Sequence, residues 1–150
     1  MIMYKKLFAI SLFTFAFIMP VLAQDDVVRQ PSVDLPPELD RVLRDYEQAW
    51  KGNDGEALAA LFTDKGYVPT SKGWVMGFEA IRNKYKQTGG DLILRAIDFG
   101  YGDEVGFIVG AYGYGDDAAS VDRGNFVLAL RKTPKGKWLI VADLDKQNNR

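Results

Sequence analysis

The stretch RGNFVLALRKTPKGKWLIVADLD, Arg123 to Asp145, decides the fold. Both arms are rich in Val, Ile, Leu and aromatic residues, which suit a pleated, half-buried surface. Thr133-Pro134-Lys135-Gly136 joins them: Pro at the second turn position fixes φ, and Gly at the fourth accepts positive φ. The stretch therefore predicts a β-hairpin. Strict alternation puts Phe126, Leu128 and Leu130 on one face of the first arm, and Trp138, Ile140 and Ala142 on one face of the second. The opposite parity, Val127, Ala129, Leu139 and Val141, is apolar too. A sheet apolar on both sides calls for two covers, such as helices on one face and another subunit on the other.

Working outward, alternating segments predict further strands at Leu92–Phe99 and Val105–Tyr114, with the hairpin arms as strands at Gly124–Arg131 and Lys137–Asp143. Gly106, Gly110 and Gly113 within the second of these point to bulges or bends, hence a curved sheet. Upstream the period changes to helical. Leu39, Val42, Leu43, Tyr46, Ala49 and Trp50 form one apolar stripe behind Pro36-Pro37, with Gly52 as C-cap. Asn53-Asp54 offers an N-cap for a second helix carrying Ala57, Leu58, Ala60, Leu61 and Phe62, closed by Thr63-Asp64-Lys65-Gly66. Tyr67-Val68-Pro69 reads as a short edge strand, because Pro is excluded from central positions, and Trp74-Val75-Met76 returns the chain. Gly77 precedes a third helix with Phe78, Ile81 and Tyr85 on one stripe, ended by Gln87-Thr88-Gly89-Gly90. Helices first and strands after give an α+β fold, three helices packed on one face of a curved antiparallel sheet.

The 150 residues suggest one domain, and 47% hydrophobic with 26% charged residues is ordinary for a globular chain with a core. The formal net charge of -1 shows no basic excess, so nucleic acid is not an expected partner. The chain has no Cys and no His. Disulfides, zinc–thiolate sites, thiol nucleophiles and imidazole bases are therefore excluded. No cofactor or metal site is expected; Asp116-Asp117 with Asp122 lacks the ligand spacing of a calcium loop. Met1–Ala23 reads as a signal peptide: Lys5 and Lys6, an apolar run Leu7–Met19, Pro20, then Val21-Leu22-Ala23 before Gln24. That run is shorter than the roughly 20 apolar residues a membrane anchor needs. The expectation is an exported protein, periplasmic or secreted, with no membrane anchor after cleavage. Residues 24–37 read as a flexible leader and residues 38–150 as the domain.

Several motifs occur in a telling order: Gly52-Asn53-Asp54, Ala57 to Phe62, Trp74 to Ile81, Gly110 to Tyr112, Asp122 to Leu130, and Gly136 to Asp143. This order resembles the SnoaL-like, calmodulin-kinase-association-type branch of the nuclear transport factor 2-like superfamily, across nearly the whole chain after Leu39. The resemblance implies a cone, with helices folded against the concave side of the sheet and a pocket at the open end. It also implies a homodimer through the outer sheet face. It does not imply one function, because the superfamily spans isomerases, dehydratases, hydrolases and assembly domains.

Two carboxylates are candidate catalytic groups. Asp143 ends the last apolar strand, where the cone mouth is expected; pressed against aromatics it would be desolvated, raising its pKa toward general acid–base work. The plainer alternative is a strand-end residue bonded to a nearby amide or arginine. Asp145 shares its parity nearer the chain end. Asp98 interrupts Leu92–Ile97, with Arg95 close enough in sequence to hold it ionised. The family's His–Asp pairs cannot exist here, whereas Asp with Tyr can. The aromatics, 13% of residues, exceed what a small core needs. Trp50, Tyr67, Trp74 and Met76 are expected to line a ligand pocket, with Asn125 as a polar contact. The functional expectation is an exported protein holding an apolar or amphipathic small molecule in the cone. The alternatives are a proton-transfer enzyme, an isomerase or dehydratase using a desolvated Asp, and a dimeric assembly domain.

Overall fold

The structure, a computed structural model, describes residues 28–148. The signal peptide expected at Met1–Ala23 lies outside the described residues. In chain order the elements are α1 (Pro37–Lys51), α2 (Gly55–Ala59), β1 (Phe62–Thr70), β2 (Gly73–Met76), α3 (Phe78–Lys84), β3 (Leu92–Tyr101), β4 (Val105–Tyr114), a short 3-10 turn (Gly115–Ala119), β5 (Gly124–Lys132) and β6 (Trp138–Gln147). The six strands form one curved sheet in the order β2-β1-β6-β5-β4-β3, and the three helices cover one face. This is the α+β cone expected.

Local chemistry explains most boundaries. Asp54 caps α2 by accepting the Ala57 N–H at 2.9 Å. The β5–β6 turn closes through Gly136 N–H to Thr133 O and Thr133 N–H to Lys137 O, both 2.8 Å, with Gly136 at φ +83°. The core joins Leu39, Val42, Leu43 and Tyr46 of α1 to Leu94, Phe126, Leu128, Leu130, Trp138 and Ile140 of the sheet. Fully burying Leu39 or Leu43 stabilises by about 1.5–3 kcal/mol each.

The sheet is mixed rather than wholly antiparallel. β1 runs parallel to β6, pairing Phe62 with Ile140 and Tyr67 with Ala142, and Leu61 O accepts the Ile140 N–H at 2.8 Å. The helical spacing of Ala57, Leu58, Leu61 and Phe62 continues past the point where the backbone turns, so α2 ends at Ala59 and Phe62 is a buried strand residue. β1 is thus no edge strand; the edge falls to β2, and Pro69 sits beyond the last pairing with β6.

Two register shifts govern which residues face the helices. In β3 the pairs Ala96–Gly110 and Asp98–Val109 leave Ile97 as an extra residue. In β6 the pairs Leu130–Ile140 and Ala129–Ala142 leave Val141 extra. Each bulge reverses the parity of everything after it. Gly110 lies opposite the β3 bulge; a Cβ there would stand 2.2 Å from Phe126 Cζ and 2.5 Å from Arg95 O. Its bareness lets the Phe126 ring lie across β4.

The β3 edge is occupied by other parts of the chain. Glu47 of α1 accepts the Leu94 N–H at 2.6 Å, Arg44 donates to Leu94 O at 2.8 Å, and Val33 N–H reaches Ala96 O at 3.0 Å. Arg95 and Arg29 both pair with Asp122, and Arg95 also donates to Gln30 O. The segment from Val28 to Leu35 has irregular backbone, with Arg29, Gln30 and Val33 in hydrogen bonds to the sheet edge and its neighbouring loop.

Candidate functional site

Between α1, α3 and the inner face of the sheet lies a cavity of about 130 Å3. Its deep wall comes from α1 and the residue capping α3. Tyr46 and Trp50 stand one helical turn apart and stack with ring centroids 6.4 Å apart; Tyr85 meets both edge-on, at 6.3 and 6.2 Å. The Trp50 indole N–H donates to Gly89 O at 2.8 Å, which fixes its ring against the loop after α3. The sheet wall is Leu94, Phe126 and Leu128. Tyr112 and Tyr114 of β4 and Asp145 of β6 line the side nearer solvent, with Lys84 at the end of α3.

Asp143 is the buried charge of this cavity, 4% exposed. Its Oδ2 accepts from the Tyr46 hydroxyl at 2.9 Å and from the Tyr85 hydroxyl at 3.3 Å; the two hydroxyls are 3.2 Å apart. Among the described residues no donor reaches Oδ1, which is left to the cavity. Burial pushes the carboxyl up from 3.8 to about 6; the Tyr46 bond offsets part of this, while the charge of Asp145 adds to it. Burial, then the Asp143 charge, lifts the Tyr46 and Tyr85 hydroxyls above their ordinary range. They stay protonated at neutral pH and act as donors.

Only the β6 bulge gives Asp143 this position. By unbroken alternation it would share a face with Leu139 and Val141, away from the helices. The extra residue Val141 turns it inward, opposite Leu128. Asp98 has the reverse history. Alternation from Leu92, Leu94 and Ala96 would bring it inside; the bulge at Ile97 sends it outside, opposite Val109, where it is exposed and accepts its neighbour Phe99's N–H at 2.8 Å. Arg95 pairs with Asp122 instead.

Of the expected pocket residues, Trp50 lines the cavity. Tyr67, Trp74 and Met76 do not. Tyr67 pairs with Ala142 and with Met76, so these side chains sit on the outer face of the sheet, where Trp74 is 57% exposed and meets Tyr67 edge-on at 6.2 Å. Asn125 is likewise exposed on the outer face, donating to Asn148 Oδ1 at 2.9 Å. Tyr46 and Tyr85, aromatic positions of the helical stripes, also line it, as do Tyr112 and Tyr114, which no sequence expectation placed there. The signal for Tyr46 was its one-turn spacing from Trp50; no local signal brings Tyr85 to Asp143. Among the described residues no group of three acidic side chains is placed to hold a metal ion.

No protein-family model matches the chain, and no curated protein matches it in sequence. Its architecture does match solved structures. An NTF2-like protein of unknown function from Shewanella baltica aligns with TM-score 0.57 at 11% identity, over 75% of this chain and 93% of that one. This chain has the nuclear transport factor 2-like fold. A putative calcium/calmodulin-dependent protein kinase II association domain from Xanthomonas campestris gives TM-score 0.62 at 14% identity, over 83% of this chain and 99% of that one. A ketosteroid isomerase-like protein from Erwinia carotovora atroseptica gives 0.59 at 18% identity, over 74% and 94%. A nuclear transport factor 2-like sheet thus carries neighbours described as a putative association domain and as ketosteroid isomerase-like, and the cavity's own chemistry must discriminate.

Proposed function

We propose that the protein binds a small amphipathic molecule in the aromatic cavity above Asp143. One observation carries this reading: a concave site walled by rings holds a single buried carboxylate with one oxygen free. Apolar walls supply affinity and a convergent polar group supplies orientation. Native mass spectrometry of the purified protein tests it, alongside tryptophan fluorescence in a Trp74→Phe background, where Trp50 in the cavity and Trp138 in the core remain. A copurifying small molecule or a saturable change in emission is expected. No bound mass and no response across a panel of aromatic and aliphatic metabolites rejects the reading.

Proton transfer by Asp143 is the second reading, favoured by a carboxyl near neutrality facing the cavity. It ranks lower because an enolate needs a donor at the developing oxyanion. The deep donors are taken, Tyr46 and Tyr85 by Asp143 Oδ2 and Trp50 by Gly89, which leaves the Tyr112 and Tyr114 hydroxyls and Lys84 nearer solvent, away from the buried carboxylate. Deuterium exchange into propiophenone, compared between the parent and Asp143→Asn, decides: exchange faster in the parent promotes this reading.

Two further proposals accompany the first. The chain is exported with Met1–Ala23 removed, supported by the sequence pattern; N-terminal sequencing of protein from its source cells is expected to start at Gln24. No helix among the described residues is long and apolar enough to cross a membrane. A second copy covers the outer sheet face, supported by the exposure of Ile93, Phe107, Val127 and Leu144 on neighbouring strands. Sedimentation is expected to show a dimer at micromolar concentration and a monomer for Val127→Lys; a monomeric parent rejects it.

A further inference from the structure

Donors and acceptors in the deep half of the cavity are unequally used. Both deep hydroxyls donate to Asp143 Oδ2, and the Trp50 indole N–H donates to Gly89 O. Asp143 Oδ1 has no donor among the described residues, so a molecule seated there must bring its own hydrogen. The charges lean the same way. Asp143 and Asp145 stand two residues apart on one face of β6, and Lys84 is the one cation lining the cavity. Its Nζ lies 5.5 Å from the Tyr85 ring centroid, so the protein already sets one ammonium against an aromatic face of this wall. Burial first, then the charge of Asp145, raises the Tyr112 and Tyr114 hydroxyls, as expected for a wall at negative potential.

Resting on the binding reading, we propose that the ligand is a compact amine, its ammonium donating to Asp143 Oδ1 and its apolar body against Trp50, Tyr85 and Phe126. An ammonium answers three features together. It supplies the missing donor, neutralises the lining charge left by two carboxylates against one lysine, and gains from the ring faces. A carboxylate ligand would face Asp143 and Asp145, with one cation, Lys84, and the Tyr112 and Tyr114 hydroxyls to hold it. A neutral alcohol would satisfy the donor and leave the charge.

Three probes of one shape separate these cases: phenethylamine, 2-phenylethanol and phenylacetate, titrated against the purified protein by tryptophan fluorescence and calorimetry. At pH 7.5 the amine is expected to bind about tenfold or more tighter than the alcohol, the gain typical of a buried ammonium–carboxylate bond. The preference should shrink at pH 5, where Asp143 is protonated, and vanish in Asp143→Asn. The groups facing Asp143 that bear on this profile are Tyr46 from α1, Lys84 and Tyr85 from α3 and its cap, Asp145 from β6, and Tyr112 and Tyr114 from β4. Lys84→Met, at an exposed position, removes the competing cation and should tighten the amine several-fold. Alcohol or phenylacetate binding as tightly as the amine overturns the inference and leaves the binding reading intact. No binding by any of the three overturns both.

Discussion

β3 and β6 are both ten-residue strands with one extra residue near the middle, yet the two bulges have opposite effects on chemistry. The bulge at Val141 delivers Asp143 into an aromatic cavity; the bulge at Ile97 ejects Asp98 to solvent. Both carboxylates are candidate bases in the sequence, Asp143 at the end of an apolar strand and Asp98 interrupting one beside Arg95. What separates them is one residue of register. A parity slip exchanges the two faces of a sheet, so it decides whether a carboxylate is buried among rings or left in solvent.

The comparison can be broken in several ways. The largest effect is expected from Gly110→Ala, opposite the β3 bulge, where the new methyl meets Phe126 and the Arg95 carbonyl. A loss of about 3 kcal/mol is expected in urea unfolding, because neither the strand backbone nor a packed ring can retreat. A change under about 1 kcal/mol would mean that this seam is looser than described.

The second test sets the carboxylates directly against each other. Asp143 holds its proton up to about pH 6 when folded, against an ordinary 3.8. The native state therefore binds the proton more tightly than the unfolded chain does. The Asp143 contribution to stability is greatest below about pH 4, is lost as pH rises from there through 6, and is flat above, a change of up to about 3 kcal/mol. Asp143→Asn should be more stable than the parent at pH 8 by roughly 1–3 kcal/mol, with the gap closing by pH 4. Asp98→Asn should stay within about 0.5 kcal/mol of the parent at both. Equal pH profiles for the two variants would erase the contrast.

A third test sharpens the inner site. Tyr46→Phe removes the shorter bond to the ionised carboxylate, so Asp143 should titrate higher still, seen by carbon NMR of its carboxyl. Stability should drop by about 1–2 kcal/mol. A lower value would mean that the hydroxyl does not donate to it. The smallest effect is expected from Trp74→Ala on the outer face, within about 0.5 kcal/mol and without change in cavity binding.

These contrasts show where a sequence speaks and where it stops. The Thr133–Gly136 turn, the α1 stripe and the Asp54 cap are local; residues a few positions apart encode them, and they were legible. The glycines of β4 announced curvature, and the sheet is curved, with the β3 bulge opposite Gly110. The bulge itself, however, falls on the partner strand, and nothing in Ala96-Ile97-Asp98 marks which residue is supernumerary. Trp50 reached the cavity because it shares the helical stripe. Tyr67, Trp74 and Met76 look equally aromatic or soft, but their face is set by pairing with Ala142, far along the chain. The parallel seam between β1 and β6 escaped for the same reason.

The closure of the β3 rim by Glu47, Arg44 and Val33 has a consequence for self-association through backbone pairing. A stray extended chain finds the carbonyl and amide of Leu94 already taken, and the Ala96 carbonyl with them. Growth of an ordered aggregate is left the stretch of β3 past its bulge, Asp98 to Tyr101, and the opposite rim, β2, which is only Gly73–Met76 with Gly77 after it. Four residues make a poor template, so this protein should seed fibrils slowly for as long as its first helix stays docked.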